Sequence, residues 1–177
     1  MDSTVTQFLR YLRAERNVSP HTLDAYASDL AGFAAFLQEH DVAWQSVDRH
    51  LLRRYVVQLQ AEKAARATIA RKLACIRSFF KFAQREAKIE RNPAHHVATP
   101  RQGQYLPTVL TVQETVALLR APDSSTAQGL RDRAILELLY AAGVRVSELV
   151  ALHLNTIDWG RGEARIWGKG SKERIAM

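Results

Sequence analysis

Through roughly its first 90 residues the chain sets apolar side chains at intervals of three and four, and this one periodicity leaves few folds open. In TVTQFLRYLRAER the stripe is Val5, Phe8, Leu9 and Leu12. In NVSPHTLDAYASDLAGFAAFLQEH it is Leu23, Tyr26, Leu30, Phe33 and Leu37, with Ser19 placed to cap and Pro20 suited to the first helical position. VDRHLLRRYVVQLQ opens on Asp48 as its cap and turns Leu51, Leu52, Tyr55, Val56 and Leu59 inward. One-faced helices cannot bury their stripes alone, and these three need a fourth. ARATIARKLACIRSFFKFAQREAKI supplies it: at about 100° per residue, Ile69, Leu73, Ile76, Phe80 and Ala83 share a narrow sector. A helical bundle of four is the expectation.

The fourth helix also carries charge. Arg66, Arg71, Arg77, Lys81 and Arg85 fan out beside its apolar face, Lys72 lies on the same helix, and no acid occurs between Lys63 and Arg85 to neutralise them locally. Solvated helix faces usually mix signs. The whole chain agrees, with 25 Lys and Arg against 18 Asp and Glu, a formal charge of +7 and a pI near 9.9. A polyanionic partner is expected, with Arg66, Arg71, Lys72, Arg77, Lys81 and Arg85 as candidate phosphate contacts.

After residue 90 the period stops. ERNPAHHVATPRQGQYLPTVL holds Pro93, Pro100 and Pro107 and reads as an extended linker. Its adjacent His95 and His96 are expected to point apart and to bind no metal. The second half restarts at Thr111 and Glu114, which have capping-box spacing, and turns Val112, Val116 and Leu119 to a core. In GLRDRAILELLYAAG the buried face is Leu130, Ala134, Ile135, Leu138 and Leu139, with Gly143 as the stop. A short helix RVSELVALHL follows, and NTIDW, EARIWG and ERIAM then alternate with glycine turns as a small antiparallel sheet. The expected organisation is a helical domain over residues 1–90, a linker over 91–108 and a second domain over 109–177.

Several classes are excluded. No stretch approaches the roughly 20 apolar residues of a membrane helix, and the N-terminus lacks a signal peptide's apolar region, so a cytoplasmic location without membrane contact is expected. The single cysteine, Cys75, has no partner for an internal disulfide and is read as a helix residue without chemistry. There is neither a Gly-rich phosphate loop ending in Lys-Ser or Lys-Thr nor a carboxylate cluster for magnesium, so no cofactor and no metal are expected.

RDRAILELLYAAGVRVSELVAL followed by IWGKGSKER closely resembles the first half of the catalytic domain of the tyrosine site-specific recombinases, particularly the bacterial XerC/XerD type. TLDAYASDLAGFAAFL, TIARKLACIRSFFKFA and NPA resemble that family's helical core-binding domain, so the likeness covers essentially the whole chain. The resemblance implies a mainly α fold: a four-helix SAM-like core-binding domain, then the α+β first part of the catalytic domain with its small antiparallel sheet.

It also implies a chemistry. A phosphodiester under attack gathers negative charge on its non-bridging oxygens, which a planar guanidinium matches. Arg145 corresponds to the family's first catalytic arginine, and Glu148, three residues on, is within reach to orient the site. The leaving 5′ oxygen needs a proton, and a lysine on a turn between strands can deliver it. The residues alone leave Lys169 and Lys172 as equal candidates; the resemblance selects Lys169, between two glycines, and leaves Lys172 as a phosphate contact.

The family's further motifs, a histidine with a second arginine, another histidine or tryptophan, and the tyrosine nucleophile, have no match here. Tyr11, Tyr26, Tyr55, Tyr105 and Tyr140 fall on apolar helix faces or in the linker, and the chain reads as a truncated recombinase, inactive by itself. The implied partners are a double-stranded DNA recombination site and, for the full-length protein, a homologous or paralogous subunit in a tetrameric synaptic complex. A DNA-binding protein without turnover and a fragment of a phage or integron integrase are the alternatives. A helical protein-interaction domain ranks below them because it leaves the acid-free stripe unused.

Overall fold

The computed structural model describes residues 1–100, 107–168 and 173–176. The chain divides into two compact units, Met1–Tyr105 and Leu106–Met177.

The first unit is built from α1 (Asp2–Ala14), α2 (Pro20–Glu39), α3 (Arg49–Ala61) and α4 (Arg66–Arg85), with a 3-10 turn at Trp44–Ser46 before α3. The starts follow the sequence: the Ser19 hydroxyl accepts from the Thr22 amide, and the Asp48 carboxylate accepts from the Leu51 amide at 2.8 Å. The stops do not use glycine. Asn17, Asp41, Lys63 and Ala87 take positive φ beyond the four helix ends, a conformation glycine adopts without strain.

The apolar stripes meet in an aromatic core. Phe8 crosses Phe79 edge-on at 5.7 Å, Phe33 crosses Phe80 at 6.3 Å, and Trp44 closes on Phe79 at 5.5 Å. Phe8, Phe33, Phe79, Leu73 and Ile76 are wholly buried, each worth about 1.5–3 kcal/mol of apolar burial. Cys75 lies among them, its thiol pushed up to about 12 by burial and directed at the Tyr26 carbonyl at 3.6 Å.

The segment read as a linker contributes to this core. Ala94 and Val97 are buried within it, and α4 holds them there: the Arg77 guanidinium donates to the Ala94 carbonyl at 3.2 Å and to the Val97 carbonyl. Asn92 completes the anchor, donating to the Arg77 carbonyl and accepting from the Ala94 amide at 2.9 Å. His95 and His96 do not diverge. Their rings are 4.5 Å apart with ring nitrogens at 3.3 Å, because the turn over these residues puts both side chains on one exposed edge.

The second unit runs α5 (Val112–Arg120), α6 (Ala127–Ala142), α7 (Val146–Val150), a 3-10 turn (Leu154–Thr156), then β1 (Ile157–Asp158), β2 (Glu163–Trp167) and β3 (Glu173–Ala176). The strands form an antiparallel sheet in chain order, with Ile157 opposite Ala164 and Ala164 opposite Ala176. The Thr111–Glu114 capping box forms, and Gly143 ends α6 at φ +54°, ψ +34°. α7 is shorter than RVSELVALHL promised, ending at Val150 before the 3-10 turn.

The expected buried faces of α5 and α6 are largely open. Val112 and Leu130 are exposed, Val116 is slightly so, and Ile135, Leu138 and Leu139 are half-buried. Among the described residues the buried apolar ones here are Val144, Ala164, Ile166 and Ala176, and no described element packs over the outer stripes. Tyr140, read as lying on an apolar face, is 67% exposed.

Candidate functional site

Gly143 turns the chain out of α6 in a left-handed conformation, and Val144, buried beneath it, fixes where the next turn begins. Arg145 is the cap of α7 in extended conformation, so its backbone N–H is free of the helix ladder. Glu148, in the first turn, folds back to accept that N–H at 3.0 Å through Oε2. Its Oε1 accepts from Arg145 Nη1 at 2.9 Å. Oε2 also accepts from Arg174 Nη2 at 2.9 Å, and the same Arg174 arm stands 3.5 Å from the Gly143 carbonyl.

One carboxylate thus holds two guanidinium groups from separate elements. The Glu148 side chain is 3% exposed, against 73% for Arg145 and 39% for Arg174. The backbone N–H of Arg145, then the two guanidiniums, hold the Glu148 carboxyl down at about 2 against the opposing effect of burial. Two fixed cations on one anion leave a net positive charge. Among the described residues Arg145 Nε and Nη2 have no hydrogen-bond partner, so the exposed side of the fork is open to a bidentate anion.

Arg174 was not among the residues singled out in the sequence, yet its position carried a signal. Alternation along β3 puts it on the face of Ala176, and the register places it opposite buried Ile166. A half-exposed cation on the inner face of a sheet has a nearby acid within reach, and Glu148 is that acid. Lys169 and Lys172 lie outside the described residues.

The six basic residues of α4 are not equivalent. Arg66 and Lys81 are exposed and have no ion pair among the described residues. Arg71 and Lys72 both reach Asp29 of α2. Arg77 is the anchor of the 92–97 turn described above. Arg85 pairs with Glu15, the C-cap of α1, at 3.4 Å and with Glu86 at 3.0 Å, and lies 4.0 Å over the Tyr11 ring. The acid-free run on α4 is therefore partly neutralised by Glu15 at the end of α1 and Asp29 of α2, which local sequence spacing does not reveal. Arg16, Arg77, Lys81 and Arg85 still line one groove of about 520 Å³ between α1 and α4, floored by Tyr11 and Phe82.

Among the described residues no cluster of three or more His, Cys, Asp or Glu could hold a metal ion, and no helix is long and apolar enough to cross a membrane.

Comparison with known proteins agrees with this anatomy. Residues 5–87 match the phage integrase N-terminal SAM-like domain, and residues 108–177 match the phage integrase family. The chain is 45% identical over 183 residues to the tyrosine recombinase XerC of Syntrophus aciditrophicus, taking in 99% of this chain and 59% of that protein. It is 38% identical over 176 residues to XerD of Staphylococcus aureus, covering 99% and 60%. The chain therefore spans about three fifths of the length of these curated relatives. Among solved structures, a lambda integrase dimer bound to a COC′ core site superposes with a TM-score of 0.78 at 19% identity, covering 100% of this chain and 61% of the other. XerH recombinase bound to its difH substrate gives 0.66 at 18% identity, over 97% and 51%. At these identities the likeness to both structures is one of fold. The chain belongs to the phage integrase family of tyrosine recombinases.

Proposed function

We propose that this chain is the DNA-binding unit and the first part of the active site of a site-specific recombinase that cuts and rejoins DNA through a 3′-phosphotyrosyl intermediate. The observation that carries the reading is the pair of guanidiniums fixed on buried Glu148, with the Arg145 fork left exposed. That arrangement offers preorganised positive charge to the non-bridging oxygens of a phosphodiester, where charge develops in the transition state. Arg145 binds those oxygens, Glu148 and Arg174 orient it, and Lys169 protonates the leaving 5′ oxygen. The phosphotyrosyl bond conserves the phosphodiester energy, so the reaction runs without ATP and without a catalytic metal.

The role proposed for the whole protein is chromosome or plasmid dimer resolution in the cytoplasm, on a duplex recombination site, with a homologous or paralogous subunit in a tetramer. The relatives' names as tyrosine recombinases and the lambda integrase tetramer on a Holliday junction support the recombinase, DNA and subunit parts of it.

The 177 residues by themselves bind DNA without cleaving it. Tyr55 is buried with its hydroxyl pushed up to about 12 by desolvation, Tyr11 stacks on Phe82 beneath Arg85, and Tyr140 stands exposed on α6. None of these lies in a motif matching the family's nucleophile. Fluorescence anisotropy with a duplex recombination site should show binding that weakens by about 0.9 log units per log unit of salt for each phosphate neutralised. A nicked suicide substrate should yield no covalent adduct. Failure to bind duplex DNA at low salt would overturn the reading, and an adduct would mean that one of the five tyrosines is a nucleophile.

A further inference from the structure

Asp29 of α2 is 1% exposed, and a carboxylate so placed costs several kcal/mol unless both oxygens are matched. They are: Oδ2 accepts from Arg71 Nη1, and Oδ1 lies 3.4 Å from Lys72 Nζ, both on α4. The other titratable groups around it stay neutral, since burial pushes Tyr26 up, Tyr55 to about 12 and Cys75 to about 12. The charges facing Asp29 are therefore the two cations of α4. Balancing the acid needs one of them, and packing α2 on α4 needs none, because apolar residues of similar volume serve as well in such positions.

The two cations are held differently. Lys72 is 18% exposed and drawn in along the acid, while Arg71 is 44% exposed. A guanidinium has five donors in a rigid fork. With Nη1 on the carboxylate, Nε and Nη2 of Arg71 have no partner among the described residues. Arg71 is anchored from below and open above, the relation Arg145 has to Glu148 in the second unit.

We propose that Asp29 is a positioning residue for DNA binding: it fixes Arg71 as a preoriented phosphate contact and takes Lys72 as its own counter-charge. The inference rests on the DNA-binding reading above. It assigns a role to a buried acid and divides the labour between two neighbouring cations that the sequence offered as equals.

The test exploits a difference in sign. Asp29→Asn in the whole chain raises the formal charge by one above +7, so charge alone predicts tighter DNA binding. Positioning predicts the opposite, an affinity about tenfold weaker, as for loss of one charge-assisted contact, and a salt slope shallower by about 0.9. Arg71→Gln should lose as much, and the double variant no more than either single one. Circular dichroism melts establish which variants are folded. If Asp29→Asn does not fold, Arg71→Lys decides, since it keeps the charge but cannot bind the acid and present a fork at once; it should bind about as weakly as Arg71→Gln. A folded Asp29→Asn that binds as well as or better than the unaltered chain, or an Arg71→Lys that binds like it, overturns the proposal. Failure of the unaltered chain to bind DNA sinks the DNA-binding reading and the inference with it.

Discussion

Glu148 and Arg174 meet at 2.9 Å across 26 positions of sequence, and the contact ties α7 to the inner face of the sheet. Glu148 is the group that needs its partners: a carboxylate 3% exposed is satisfied by Arg145 and Arg174 together, while Arg174, 39% exposed, keeps access to water. Since Glu148 also holds the backbone and side chain of Arg145, the sheet and the candidate phosphate ligand are joined through one acid.

This linkage has a pH signature. The folded Glu148 carboxyl is depressed from 4.5 to about 2, so its contribution to stability is complete above pH 4.5 and is lost as pH falls through about 2. Thermal melts between pH 6 and 2 should therefore show a steeper fall for the unaltered chain than for Glu148→Gln, which starts lower and lacks this group's titration. Superimposable pH profiles would contradict the contacts described.

Arg77 and Lys81 should separate cleanly. Arg77→Ala removes two bonds to the carbonyls of Ala94 and Val97 and frees the 92–97 turn, at a cost of about 2 kcal/mol in urea unfolding. Lys81 is exposed without an ion pair among the described residues, so Lys81→Ala should change stability by less than about 0.5 kcal/mol. In DNA titrations the order reverses: Lys81→Ala should flatten the salt slope by about 0.9. Equal stability losses would remove the anchoring role of Arg77.

Two glycines of the second unit make a contrasting pair. A Cβ on Gly129 would lie 2.0 Å from the Asp123 carbonyl oxygen, so Gly129→Ala must displace backbone, at about 1–3 kcal/mol. Gly143 has open space around it and only its positive φ to maintain, so Gly143→Ala should cost about 1 kcal/mol. Chemical unfolding of both variants, followed by Trp fluorescence, ranks them.

The N-terminal bundle was legible because its information is local. Spacing of three and four, Ser19, Asp48 and Pro20 each act within a turn, and Leu30, Phe33, Ile69 and Ile76 are buried as that spacing requires. What the sequence concealed is carried by contacts between distant positions. Asp29 reaches Arg71 across 42 positions, Arg85 reaches Glu15 across 70, and Arg77 turns inward to the segment that its prolines made look like a free linker. The same limit hid Arg174, whose partner lies on another element. The openness of α6 was hidden for a different reason: periodicity marks a face that asks for cover, and what covers it lies beyond the pattern itself.

That openness leads to the last prediction. In the first unit α4 is sealed by wholly buried Leu73, Ile76 and Phe79, whereas the sheet of the second unit rests on one large inner residue, Ile166, beside the small Ala164 and Ala176. Trp159 is 74% exposed and Ile175 61%. A groove of about 590 Å³ lies open between α6, α7 and the sheet, lined by Ile135, Leu138, Leu149, Leu152 and Ala164. With little apolar surface to expose on opening, the sheet should open locally at small cost, while α4 opens only with its whole core. Amide hydrogen exchange should therefore be faster over residues 155–167 than over residues 69–83, by about two orders of magnitude or more, equivalent to roughly 3 kcal/mol in opening free energy. Exchange read by mass spectrometry on peptides covering β2 and α4 makes the comparison within one sample. Equal protection in the two would mean that the second unit is as firmly closed as the first, and that the open faces of α5 and α6 carry no weakness.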